Sequence, residues 1–181
     1  MSQFIAFLRA INVGGHTVKM ERLHQLFESF GFSRVETFIA SGNIVFEAKS
    51  GEPRTLENRI EKQLREALGY EVVTFIRTDL ELGVIAGYKP FQQTVLDKAA
   101  ALNIGFLKEP LDEQSRQELM GLRTVIDDFQ VNGREIYWLC LKKQSESTFS
   151  NAILEKRLGR RSTLRGINTI KKIAEKYVTK H

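Results

Sequence analysis

Cysteine, tryptophan, proline and histidine are all scarce in this 181-residue chain, at one, one, three and three residues. The single cysteine, Cys140, excludes an intramolecular disulfide and a cysteine-based zinc cluster. It lies in the apolar run Ile136-Tyr-Trp-Leu-Cys-Leu141, where burial raises a thiol pKa and a structural role is expected. His16, His24 and His181 are scattered without partner cysteines, so no metal site and no cofactor is predicted. No apolar run is long enough to cross a bilayer. The N-terminus also lacks the basic and apolar regions of a signal peptide, which gives the expectation of a soluble, cytoplasmic protein with no membrane partner. Neither GxGxxG nor GxxxxGK[ST] occurs, and no order of Ser, His and Asp singles out a triad, so the catalytic residues are unknown. The neighbouring Asp127 and Asp128 fall on a strand and point to opposite faces, which excludes them as an acid/base pair.

What remains is an ordinary globular composition, 42% apolar and 27% charged, in which two periods alternate. Phe4 to Arg9 reads as a strand. Met20, Leu23, Leu26, Phe27 and Phe30 repeat at helical spacing, and Gly31 stops the helix. Val35–Ala40 and Ile44–Ala48 are strands separated by Ser41-Gly42-Asn43, a hairpin signal. Pro53 suits the first turn of a helix bearing Leu56, Ile60, Leu64 and Leu68 and closed by Gly69. Glu71–Arg77 is a further strand, and Thr78-x-x-Glu81 is a capping box. The order β-α-β-β-α-β is ferredoxin-like.

The second half repeats most of it. Leu102–Lys108 is a strand, Asp112–Leu122 a helix, and Asn132-Gly133 turns a hairpin from Val125–Val131 to Glu135–Lys142. Helices around Ser150–Leu158 and Asn168–Val178 follow. Ile5-Ala-Phe-Leu-Arg9 is echoed by Ile104-Gly-Phe-Leu-Lys108, which supports an internal repeat. The expected organisation is α+β: a ferredoxin-like subdomain at 1–88 and a related one with extra basic helices at 99–181. The two βαββ-containing halves would be related by a pseudo-dyad and packed as one globule, because strands such as Phe4–Leu8 are apolar on both faces.

The net charge of +5 is unevenly spread. Residues 142–181 carry seven Lys and four Arg against three Glu, and the rest of the chain is net acidic. Such a basic tail is either a solvated surface or an attractor of phosphate-bearing partners, nucleic acid included.

Two places collect polar groups suited to an anion. In the ferredoxin-like order the end of the first strand and the second–third strand hairpin share one edge. That edge would bring together Arg9, Asn12, Gly14, Gly15, Ser41, Gly42 and Asn43. Arginine offers a planar fork of donors, asparagine a donor and an acceptor, and glycine an approachable backbone. Ser-Gly-Asn is equally a good tight turn without any ligand. The second place is the approach to the last helix, where Arg161, Ser162, Thr163 and Arg165 precede Asn168, a candidate N-cap, and Thr169. Capping with solvated arginines explains the same residues.

Three motifs, Leu8-Arg-Ala-Ile-Asn-Val-Gly-Gly15, Ser41-Gly-Asn-Ile-Val-Phe46 and Thr163-Leu-Arg-Gly-Ile-Asn-Thr-Ile-Lys-Lys-Ile173, resemble those of the bacterial family catalogued as domain of unknown function 1697. The resemblance runs over nearly the whole chain in order and spacing. It implies an α+β fold with two similar βαββ-containing subdomains and no reaction. The family usually has glycine at Ala10, and Asn-Trp at Gly166-Ile167; the second departure removes an aromatic that could line a C-terminal pocket.

Three functional readings stay open. The first is binding of a phosphate- or carboxylate-bearing ligand at Arg9, Asn12 and Asn43, joined by Arg165 and Asn168 if the last helix folds over that edge. The second is a nucleic-acid module using residues 142–181, although the paired exposed aromatics of RNA-binding sheets are missing from Ser41–Glu47. The third is an enzyme on a small phosphorylated or carboxylated substrate, with Lys19 and His16 as the nearest, weak, candidates for a base.

Overall fold

Alternation along β1 (Ser2–Leu8) sends Phe4, Ala6 and Leu8 to one side and Ile5 and Phe7 to the other, and all five are buried. The computed structural model describes residues 1–12, 14–39, 42–49 and 51–178. After β1 come α1 (Met20–Ser29), β2 (Ser33–Thr37), β3 (Asn43–Ala48), α2 (Pro53–Leu68) and β4 (Thr74–Thr78). They form an antiparallel sheet in the order β2-β3-β1-β4. Then follow α3 (Asp79–Gly87), α4 (Gln93–Leu96), β5 (Ala101–Phe106), α5 (Glu113–Met120), β6 (Asp127–Asn132) and β7 (Glu135–Cys140). The chain closes with α6 (Asn151–Leu158), β8 (Thr163–Gly166) and α7 (Ile167–Tyr177), and the second sheet has the order β6-β7-β5-β8. Both sheets therefore have the ferredoxin-like strand order, and the fold class is α+β.

By contacts the chain groups into two units, Met1–Val84 with Lys171–His181, and Ile85–Ile170. In the first, Leu23, Leu26 and Phe27 of α1 and Leu56, Ile60 and Leu64 of α2 join the sheet face carrying Phe4, Ala6, Leu8, Ile44, Phe46 and Ile76. Phe27, Phe32 and Phe46 form its aromatic centre, with ring centroids 4.5–6.0 Å apart. Each such buried side chain stabilises the fold by roughly 1.5–3 kcal/mol. The opposite face, with Ile5, Phe7, Val45 and Phe75, is also fully buried. In the second unit Phe129, Trp138 and Phe149 pack together. Asp127 ties them down by accepting from Trp138 Nε1 at 2.9 Å and from the Thr124 and Ser147 hydroxyls.

Local signals act where the sequence places them. Gly31 (φ 91°) and Gly69 (φ 83°) end α1 and α2 in the left-handed region. The Thr78–Glu81 capping box is complete: Thr78 N–H donates to Glu81 at 2.8 Å and Glu81 N–H to Thr78 Oγ1 at 3.1 Å. Several element readings differ: β4 begins at Thr74 and not Glu71, and β6 at Asp127 and not Val125. β2 ends at Thr37, earlier than expected, and Ala40 and Ser41 lie outside the described residues. The junction contains the short helix α4. The approach to the last helix is a strand, β8, which completes the second ferredoxin-like order. Its four residues are too few to show a strand period, and Arg165 and Gly166 are not strand signals.

The two sheets repeat each other's details. Leu8 N–H donates to Gly42 O in the β2–β3 hairpin, and Leu107 N–H to Arg134 O in the β6–β7 hairpin, both at 2.9 Å. Ile5 of β1 pairs with Arg77 of β4, and Ile104 of β5 with Arg165 of β8. Both arginines are buried, and each donates Nη1 to the preceding residue's carbonyl at 2.9 Å. Ile5 and Ile104, the first residues of the sequence echo, lie on β1 and β5, the strands at the same place in the two sheet orders.

Candidate functional site

The hydrogen bond from Leu8 N–H to Gly42 O joins the end of β1 to the hairpin, and Arg9 N–H donates to Val73 O at 2.8 Å beside β4. Three segments far apart in sequence therefore meet at one edge of the first sheet. The edge is conformationally costly. Ala10 (φ 51°) and Ile39 (φ 55°) occupy the left-handed region that disfavours side chains, alongside Gly14 (φ 69°), Gly15 (φ 82°) and Gly42 (φ 74°).

The individual residues separate into two sorts. Gly42 is buried, and a Cβ there would lie 3.0 Å from Leu8 Cβ and 3.1 Å from Ile11 Cγ2, so glycine is required by packing. Asn43 is buried as well; its Nδ2 donates to Phe38 O at 3.0 Å, and Phe38 N–H donates to the Asn43 carbonyl, closing the hairpin. Ser41 lies outside the described residues. Arg9 is half-buried, and Asn12, Gly14, Gly15 and His16 are exposed. A Cβ at Gly14 or Gly15 would meet nothing within 4 Å, so the space beside that backbone is open.

The loop is nevertheless braced. Asn12 Oδ1 accepts from Val18 N–H at 2.7 Å. Tyr70, just past α2, donates its hydroxyl to Ile11 O at 3.2 Å and stacks on His16 with ring centroids 3.9 Å apart. Burial pushes the Tyr70 phenol up from its ordinary pKa. Sequence reasoning missed Tyr70, because nothing local links it to a loop some 55 residues earlier. From Arg9 to Met20 the chain carries Arg9, His16 and Lys19 and no carboxylate.

The C-terminal candidates form a separate group in the second unit. Arg165 is a strand residue, 8% exposed, that donates to Thr163 Oγ1 at 2.7 Å and to Leu164 O. Burial pushes its guanidinium down to about 10, which leaves it charged at neutral pH. Helix α7 begins at Ile167, so Asn168 lies inside the first turn and not before it, with the half-buried Thr169 next to it. Arg161 lines a cleft of about 250 Å³ with Lys156, Gly159, Arg160 and Glu155, a mixed-charge lining. Arg160 there pairs with Asp112 at 3.6 Å and donates to Pro110 O. At the tail's end Lys176 pairs with Glu36 at 3.2 Å, and Tyr177 donates its hydroxyl to the same carboxylate at 2.5 Å. Among the described residues no group of three or more His, Cys, Asp or Glu side chains could hold a metal ion. No described helix is long and apolar enough to cross a membrane.

Comparison with known proteins adds a family and a fold. The signature of the family described as "Protein of unknown function (DUF1697)" matches residues 1–137. A solved structure, that of the conserved bacterial protein SP0830 from Streptococcus pneumoniae, superposes with a TM-score of 0.76 at 22% identity. The match covers 96% of this chain and 97% of that one, which establishes a shared fold. No curated protein matches.

Proposed function

The chain belongs to the DUF1697 family of proteins of unknown function, and from that premise we propose that it binds a small phosphate- or carboxylate-bearing anion at the β1 edge. The observation that carries this reading is the loop after β1. Its ionisable side chains are Arg9, His16 and Lys19, which flank in sequence two left-handed glycines whose backbone is open to approach. Backbone N–H groups and a guanidinium are the donors an oxyanion takes. Left-handed strain at Ala10 and Ile39 supports the same edge, since strained backbone collects at ligand sites. In this reading Arg9, Gly14, Gly15 and the Asn12 amide contact the ligand, and Gly42 and Asn43 hold the hairpin that walls the site. Arg165, Asn168 and Thr169 are left to strand and helix structure.

The nucleic-acid reading draws less support. Of the cations in residues 142–181, Arg165 is buried, and Arg160 and Lys176 are paired with carboxylates. That leaves a thinner basic surface than the charge count promised. A mere solvated tail should bind a labelled RNA or DNA pool weakly at physiological salt, in the nonspecific range above about 1 μM.

The test of the anion reading is thermal unfolding with inorganic phosphate, citrate and phosphorylated metabolites. A true ligand at 100 times its Kd adds about 2.7 kcal/mol of stability. The rise in Tm should be largely lost in Arg9→Gln. An equal rise in that variant would place the anion elsewhere.

A further inference from the structure

We propose that the anion bound at this edge is the phosphate of a nucleotide whose base stacks on His16. The inference rests on the anion reading above and adds the class of ligand. It starts from the His16–Tyr70 pair, two rings at 3.9 Å between centroids and 17° between planes. Tyr70 packs on the core of the first unit and is fixed by its hydrogen bond to Ile11 O, so the ring beneath His16 is anchored. His16 itself is exposed. One of its faces is covered by Tyr70, while the residue as a whole stays exposed. An exposed aromatic ring already ordered by a stack loses little further freedom when a flat ligand settles on it.

Position gives the second half of the argument. His16 directly follows Gly14-Gly15, so its Cα is at most about 7 Å from that of Gly14. An open, cation-flanked backbone and an oriented aromatic thus lie one short spacer apart, as phosphate and base do on a pentose. The bond from Val18 N–H to Asn12 Oδ1 ties the two ends of this loop together and keeps the spacing. Stacking uses a π-face that every base has, so the site recognises the nucleotide class and not one base. The loop's two permanent cations, Arg9 and Lys19, suit a single phosphate group and not a polyanionic strand.

The experiment is calorimetric titration of the whole chain with AMP, ribose 5-phosphate, inorganic phosphate, adenosine and a short single-stranded oligonucleotide. AMP should bind about tenfold or more tightly than ribose 5-phosphate, within the range of base-on-aromatic stacking. In His16→Ala that ratio should fall to about one, and in His16→Tyr it should return. Equal binding of AMP and ribose 5-phosphate by the unaltered chain would overturn the nucleotide assignment and leave the anion reading standing. Binding of none of the phosphates would overturn both. An AMP preference that survives His16→Ala would overturn the stacking role, and an oligonucleotide more than about tenfold tighter than AMP would overturn the mononucleotide.

Discussion

Ala10 and Gly42 illustrate how much a single position can carry at the β1 edge. Both have positive φ, 51° and 74°, yet only one is glycine. A left-handed L-residue costs roughly 1–2 kcal/mol, and glycine costs an extra 0.5–1 kcal/mol of unfolded-state entropy. Ala10→Gly should therefore stabilise the protein by about 0.5 kcal/mol, read as a higher urea midpoint at unchanged slope. A lower midpoint would mean that the Ala10 methyl packs productively. Gly42→Ala meets both penalties, left-handed backbone and a Cβ within 3.1 Å of Leu8 and Ile11. It should cost about 2–4 kcal/mol, combining strain with overpacking. Gly14→Ala, in open space, should cost no more than the backbone part. If the two glycine variants unfold at the same urea concentration, the hairpin is not packed as described.

At the scale of the element, the outer edge of β4 is closed by carboxylates. The N–H groups of Thr74, Ile76 and Thr78 face away from β1 and donate to Glu61, Glu57 and Glu81 at 3.0, 2.9 and 2.8 Å. An uncapped strand edge is a template for pairing with another chain, and charged side chains are a common way of blunting it. Glu57 is completely buried, which explains a carboxylate on the inner face of α2 that periodicity alone would reject. β8 follows the same plan, its neighbour Ser162 donating N–H to Glu155 of α6 at 3.3 Å. Glu57→Gln keeps an acceptor for Ile76 and should be mild. Glu57→Leu leaves a buried N–H without one and should cost about 1–3 kcal/mol in chemical denaturation. Light scattering should show the Leu variant aggregating sooner on heating. Equal stability of the two variants would remove the edge-capping role.

Across the whole molecule, two carboxylates in different units make stability depend on acid in the same direction. Hydrogen bonds from Tyr177 and then Lys176 hold the Glu36 carboxyl below its ordinary pKa. Desolvation pushes Asp127 up, and hydrogen bonds from Trp138, Thr124 and Ser147 outweigh it, leaving Asp127 lowered. A carboxylate depressed on folding contributes stability above its unfolded pKa, and that contribution is lost as pH falls through the folded value. Stability should thus decline from about pH 4 downward. Trp138, the single tryptophan and a donor to Asp127, reports the second unit by fluorescence. Asp127→Asn should flatten the acid decline while lowering stability at pH 7 by about 1–3 kcal/mol. An unchanged acid limb would assign the pH dependence to other groups.

The sequence alone determined the parts of this protein that depend on neighbours in the chain. Apolar spacing located α1, α2 and most strands, and Pro53, Gly31, Gly69 and the Thr78–Glu81 box marked their ends, because capping and backbone sterics act over a few residues. The ferredoxin-like order of the first half was legible for the same reason, and with it the approach of the end of β1 to the β2–β3 hairpin, made through Leu8 N–H and Gly42 O. Tertiary structure alone decided which polar residues serve packing. It buried Asn43 and Arg165 in sheets, set Glu57 and Glu61 on a strand edge, and placed Tyr70 under His16. Those outcomes follow from burial and from pairing between distant segments, where a donor's partner is whichever group the fold brings within about 3 Å, and no local pattern encodes that choice.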